Sequence, residues 1–133
     1  MTLRRQGEAV APAVVTLELP YPPTVNHYWR RLPSGKVVVG SAGRTFRTIV
    51  RLKTARCRTR LAGRLRVDIW LVAPRCRRHY DVDNCLKAIL DALERAEVYL
   101  DDEQIEDLRV RRRPPRGEGA AIVSIEEIEG EAR

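Results

Sequence analysis

Residues 65–96 read LRVDIWLVAPRCRRHYDVDNCLKAILDALERA, and two periodicities meet in this one stretch. Leu65, Val67, Ile69 and Leu71 alternate with Arg66, Asp68, Trp70 and Val72, the pattern of a half-buried strand over Leu65–Val72. Leu86, Ile89, Leu90 and Leu93 then recur at three- and four-residue spacing, which predicts a helix from near Asp83 to about Ala96. Between them Pro74–Tyr80 is a basic loop. A strand, a loop and a helix in succession point away from an all-helical or all-β chain.

Working outward, Val14–Leu19 is a β-rich strand stopped by Pro20-Tyr21-Pro22-Pro23, which cannot donate to a sheet ladder. Thr24–Gly35 reads as a polar and aromatic loop, and Lys36–Val39 as a short strand, either a hairpin arm or a sheet edge. Ser41 is a good N-cap for a helix to about Leu61. Phe46, Ile49, Val50, Cys57 and Leu61 form its apolar stripe, and Arg44, Arg47, Arg51 and Arg58 a separate basic one. Past the central helix, Gln104–Arg112 is a strand, Pro114–Gly119 a turn and Ala120–Ile125 a last strand. The expected fold is α+β: one domain over 14–126, a mixed sheet of four or five strands with two helices packed on it. Residues 1–13 and 127–133 read as flexible tails.

The chain has 133 residues, a formal net charge of +7 and a sequence pI near 9.9, a balance that favours polyanionic partners. Its three cysteines, Cys57, Cys76 and Cys85, form no CxxC pair and read as reduced thiols. Cys76 and His79 have half-zinc-site spacing, but His27 is the only other histidine, so the second half is missing. The apolar run over residues 9–19 is interrupted by Pro12 and Glu18 and is too short to span a bilayer. A cytoplasmic protein with no membrane partner and no small-molecule cofactor is expected.

Charge is segregated along the chain. Arg44 to Arg78 holds twelve bases against one acid, Asp68, whereas Tyr80 to Arg109 holds ten acids against three bases. A basic arm can hold phosphates and an acidic block can hold a metal. The plain alternative is that the arginine face only solvates its helix.

Asp81 and Asp83, leaving an extended segment, would point to one side about 7 Å apart. Carboxylates that close repel, and a hard cation such as magnesium suits them. Asp83 also stands where the helix begins, so it reads either as an N-cap or as a ligand. Lys87 lies one turn on, and Asp83, Lys87, Asp91 and Glu94 share the face away from the leucines. Lys87 is read as a partner of Asp83, with an ordinary ion pair to Asp91 as the alternative. Asp101-Asp102-Glu103, taken alone, reads as a solvated acidic turn.

These residues carry a resemblance. The chain resembles the RusA family of Holliday-junction resolvases through Leu19-Pro20-Tyr21-Pro22-Pro23-Thr24-Val25-Asn26 and Tyr28-Trp29-Arg30. The resemblance continues through Asp81-Val82-Asp83-Asn84-Cys85-Leu86-Lys87, Asp91-Ala92-Leu93 and Asp101-Asp102-Glu103-Gln104-Ile105. It implies a homodimeric, magnesium-dependent endonuclease, with manganese a possible substitute, that nicks four-way DNA junctions symmetrically in recombination and repair. The family's metal-binding aspartates fall on Asp81, Asp83 and Asp102, and its catalytic lysine on Lys87. His79 and Tyr80 stand where family members can carry an unbroken arginine run, so details of DNA contact need not carry over.

For DNA contact the residue types favour Arg75, Arg77 and Arg78 in the loop and Arg44, Arg47 and Arg51 on the first helix, and the family pattern adds Asn26, Tyr28 and Arg30. Trp29 reads as packing. The rival readings are a non-catalytic junction- or DNA-binding protein, a nuclease for other branched DNA or simple duplex, and an RNA-binding or ribosome-associated protein, which fits the charge but leaves Asp81 and Asp83 unexplained.

Overall fold

In the computed structural model of the chain, the described residues are 14–56, 59–76 and 82–128. Alternation in the sequence becomes a four-stranded sheet. Its strands are β1 (Val14–Leu19), β4 (Leu65–Val72), β5 (Ile105–Arg113) and β6 (Ala120–Glu127), in the order β1-β6-β4-β5. β6 is antiparallel to both β1 and β4, and β4 is parallel to β5. A parallel pair needs a crossover, and α3 (Leu86–Arg95) supplies it. Two short strands, β2 (Trp29–Arg31) and β3 (Val37–Val39), pair as a separate ribbon. The single-turn helix α1 (Val25–Tyr28) and the longer α2 (Ser41–Lys53) complete the α+β fold.

Every second residue of the central strands points to the helices. Leu65, Val67, Ile69 and Leu71 are fully buried, as are Ala121, Val123 and Ile125, and the inward residues of β1 are nearly so. Each large aliphatic side chain buried this way contributes about 1.5–3 kcal/mol. From α3 come Ala88, Ile89, Ala92 and Leu93, and from α2 come Phe46 and Val50. On the opposite face of the sheet Arg111 and Arg113 stack on Trp70, at 4.0 and 4.4 Å from its ring centre, and Arg111 also bonds both oxygens of Asp68.

Three expectations are corrected. The first long helix ends at Lys53, not Leu61, because the Thr54 hydroxyl donates to the Val50 carbonyl and closes the turn. Leu61 is buried all the same, as a bridge to Tyr99 after Arg60 turns the chain at φ 46°. The N-cap of α2 is Gly40, and Ser41 is its first residue. The stretch expected as a loop before Lys36 holds α1 and β2. Gly43 lets α2 approach α1 and β3: a Cβ there would lie 2.6 Å from Val39 Cγ1 and 2.7 Å from the Tyr28 carbonyl. The tails, Cys57, Arg58 and the Arg77–Asp81 segment lie outside the described residues, except Glu127 and Ile128, which continue or follow β6.

Candidate active site

α3 turns its apolar residues to the sheet, and that leaves Asp83, Lys87, Asp91 and Glu94 on the other face. Asp83 opens a 3-10 turn over Asp83–Cys85 that leads into α3. It caps nothing: the N-cap of that turn is Val82, with no side-chain bond. Asp83 and Lys87 are exposed, and neither forms an ion pair among the described residues, so the expected Lys87–Asp83 contact is not made. Cys85 sits beneath them, buried against Tyr21 and the Pro22 carbonyl.

One helix turn further on, Asp91 is gripped. Arg47 donates to its Oδ2 through Nε at 2.9 Å and Nη2 at 2.7 Å, and the Tyr28 hydroxyl donates to the same oxygen. Arg47 Nε also reaches the Tyr28 oxygen at 2.8 Å. Burial, reinforced by the Asp91 carboxylate, pushes the Tyr28 hydroxyl up to about 12. Tyr28 is fully buried, so the expectation that it meets DNA is corrected: its ring is core and its hydroxyl is used inside. Arg47 likewise turns inward, with its guanidinium committed to Asp91 rather than displayed with Arg44 and Arg51.

At the far end of α3 the chain reverses through Glu97 (φ 62°), and a second 3-10 turn, Asp102–Gln104, leads into β5. Asp101 caps it by accepting from Glu103 N, and Asp102 N donates to Glu94 Oε1 at 3.0 Å. Gln104 ties the turn down at four points. Its Oε1 accepts from Leu100 N and Asp101 N, and its Nε2 donates to the Leu61 and Gly63 carbonyls, all at 2.8–2.9 Å. Glu94, Asp101 and Asp102 thereby place carboxylate oxygens within 4.8 Å of one another, the group among the described residues able to surround a cation. Burial raises the nearby Tyr99 hydroxyl far above its usual range, and Asp102 and Glu94 add to the shift.

The structure therefore brings Asp102 to Glu94 and Asp101, and sets Asp83 and Lys87 at the other end of α3. Asp81, Arg77 and Arg78 lie outside the described residues. Asn26, Arg30, Arg44, Arg51 and Arg75 are exposed. Trp29 packs edge-on against Tyr28 and the core, as expected. Sequence reasoning gave no role to Gln104 or to the Arg47–Asp91–Tyr28 link. Glu94 was legible as a member of the polar α3 face, but its bond to the Asp102 backbone needs the chain reversal after Arg95.

The sequence pattern of the endodeoxyribonuclease RusA family matches residues 20–126. The crossover junction endodeoxyribonuclease of enterobacteria phage HK97 is 36% identical over 113 residues, covering 84% of this chain and 92% of its own. The crossover junction endodeoxyribonuclease RusA of Escherichia coli strain K12 is 35% identical over 118 residues, covering 87% and 97%. That of Shigella sonnei is 34% identical over 125 residues, covering 87% and 97%. Such a nuclease family implies a divalent metal, and the acidic group at the end of α3 offers oxygen donors of the matching type. The chain belongs to the endodeoxyribonuclease RusA family.

Proposed function

We propose that this chain is a magnesium-dependent endonuclease that resolves Holliday junctions by paired symmetric nicks, as a homodimer acting in the cytoplasm on nucleoid DNA. The observation that carries the reading is the polar run along α3: Asp83 and a Lys87 with no ion pair among the described residues at one end, Asp102 among carboxylates at the other.

Asp81, Asp83 and Asp102 are the residues that would hold magnesium, with manganese as a substitute. The donors fit in kind, since all are carboxylate oxygens. Within one chain they do not fit in spacing, because Asp83 and Asp102 stand at opposite ends of α3. When bound, such an ion lowers the pKa of a ligand water and offsets charge on a phosphoryl oxygen. Lys87 offsets the charge that builds on the phosphate, the electrostatic role of a fixed cation at such a centre. Arg44, Arg51 and Arg75, with Arg77, Arg78, Asn26 and Arg30, hold the DNA backbone. Two opposed nicks need two equivalent sites, and a two-fold dimer provides them.

The test is cleavage of a four-way junction with magnesium and with a chelator. Magnesium-dependent paired nicks are expected. Tight binding without magnesium-dependent nicking would instead make the chain a junction-binding protein, and equal cutting of simple duplex would remove the junction as its substrate.

A further inference from the structure

β5 is an edge strand: its one neighbour in the sheet is β4. From Leu108 to Arg116 the chain reads LRVRRRPPR, five arginines with no acid, and all five are exposed. Alternation sends Arg109, Arg111 and Arg113 to the outer face of the sheet, away from the helices, at intervals of roughly 6.6 Å. Each strand of DNA carries a phosphate per about 3.4 Å of helix axis, so such a ladder can meet every second phosphate of a strand laid along it.

Part of the ladder is ordered within the fold. Trp70, in register with Arg111, lies under the guanidinium groups of Arg111 and Arg113, at 4.0 and 4.4 Å from its ring centre. Both Asp68 oxygens also accept from Arg111, at 2.6 and 2.7 Å. A guanidinium stacked on a ring keeps its N–H edge for a phosphate and has lost much of its freedom beforehand. Charged side chains on an edge strand also block unwanted strand pairing, but that task needs no stacking on a common ring.

The outer face is not basic throughout. Near the start of β4 and β5 the charges are matched: Arg66 meets Asp107 at 3.0 Å and Glu126 at 3.7 Å, and Arg64 meets Glu106 at 3.3 Å. Toward the other end Arg109 and Arg116 form no ion pair among the described residues. That end is tied to the loop that leads to Asp81. Arg75 N donates to the Gly117 carbonyl and Arg116 N to the Ala73 carbonyl, both at 2.9 Å. Gly119, at φ 82°, permits the approach, since a Cβ there would lie 2.7 Å from the Val72 carbonyl oxygen. The β5 ladder and the basic loop are therefore joined at Arg75 and Arg116.

Resting on the function proposed above, we propose that the outer edge of β5 is a second DNA-contact surface, which holds the phosphates of a duplex arm of the junction beyond the reaction site. Arg109, Arg111, Arg113 and Arg116 supply the contacts, and Trp70 orders two of them. Contacts to the backbone alone carry no base sequence, so this surface adds affinity and fixes the path of the arm.

The test compares the wild type with Arg109→Gln/Arg116→Gln, which removes two charges without disturbing the Trp70 stack. Binding to a four-way junction is measured across a salt series. The double variant should bind at least about tenfold more weakly at low salt, with the slope of log affinity against log salt reduced by about two. The junction concentration for half-maximal nicking should rise by the same factor. In hydroxyl-radical footprints of the bound junction, the wild type should protect a stretch of one arm that the double variant leaves open. Trp70→Leu keeps every charge and removes the ring, so affinity should fall several-fold while the slope holds. Arg66→Gln, at the matched end of the same face, should leave affinity, slope and footprint as in the wild type. Wild-type affinity, slope and footprint in the double variant would assign the ladder to an acidic protein surface or to solvent and overturn the proposal. So would an Arg66→Gln variant as weak as the double variant, since total charge and not the ladder would then matter. A wild-type chain that binds no junction would instead remove the underlying reading, and this one with it.

Discussion

Arg47 on α2 holds Asp91 on α3 through two N–H groups at 2.9 and 2.7 Å, and it does so at the spot where α1 brings in the Tyr28 hydroxyl. Three helices are locked at one carboxylate oxygen. Both side chains of the pair are largely shielded, at 23% and 14% exposure, so breaking it leaves a poorly solvated charge. Residual solvent access tempers the cost.

Arg47→Ala should therefore destabilise the fold by about 1–3 kcal/mol in denaturant titration. Arg51→Ala, one turn along α2 and exposed, should change stability by less than about 0.5 kcal/mol. Equal effects of the two would show that the Asp91 link does not carry the helix packing.

The same link sets an alkaline limit. The folded Tyr28 hydroxyl titrates near 12 against an ordinary 10, because it is buried and faces Asp91. Folding thus favours the protonated form. The stabilisation is complete below pH 10 and is lost as pH rises from 10 through 12. Thermal midpoints measured across that window should fall, and Tyr28→Phe should fall less steeply. Tyr99, raised further by burial, prolongs the decline beyond that window.

Gln104 ties down the turn that carries Asp102. Gln104→Ala leaves the Leu61 and Gly63 carbonyls and two N–H groups of the acidic turn without their partner. A stability loss of about 1–3 kcal/mol is expected, with a larger fractional loss of nicking than of junction binding. Gln104→Glu keeps the acceptor and loses the donor, so it should recover part of the Asp102 geometry. If binding and nicking fell in equal proportion in both variants, Gln104 would be structural only.

Phosphate contacts release counterions, so log affinity should fall linearly with log salt, by about 0.9 per contact. Arg44→Ala, Arg51→Ala and Arg75→Ala should each lower that slope by about one. A slope unchanged by all three would move the DNA interface elsewhere on the molecule.

The sheet was legible because its side chains alternate. β1 and β4 carry the expected bounds, and the mixed sheet follows from a strand, a helix and another strand in sequence. The helix end was not legible. Leu61 continues the apolar spacing of α2 yet is buried by a separate bridge, and a periodicity cannot distinguish the two. Tyr28 and Arg47 were misplaced for a related reason. A tyrosine in a polar stretch and an arginine in a basic stripe look solvent-facing until the fold delivers Asp91 between them. For the site, residue types and spacing singled out Asp81, Asp83 and Lys87, and the resemblance added Asp102. What stayed hidden was that α3 holds Asp83 and Asp102 apart, since one-dimensional spacing does not say on which end of a helix a later turn will land.

The most direct test of the account is Asp81→Asn assayed with magnesium on a four-way junction, for binding and for cutting together. The expected result is retained or tighter binding, since one negative charge near the phosphates is gone, with cutting lost by at least about a hundredfold. Full cutting by Asp81→Asn would contradict the metal-site assignment on which the account rests.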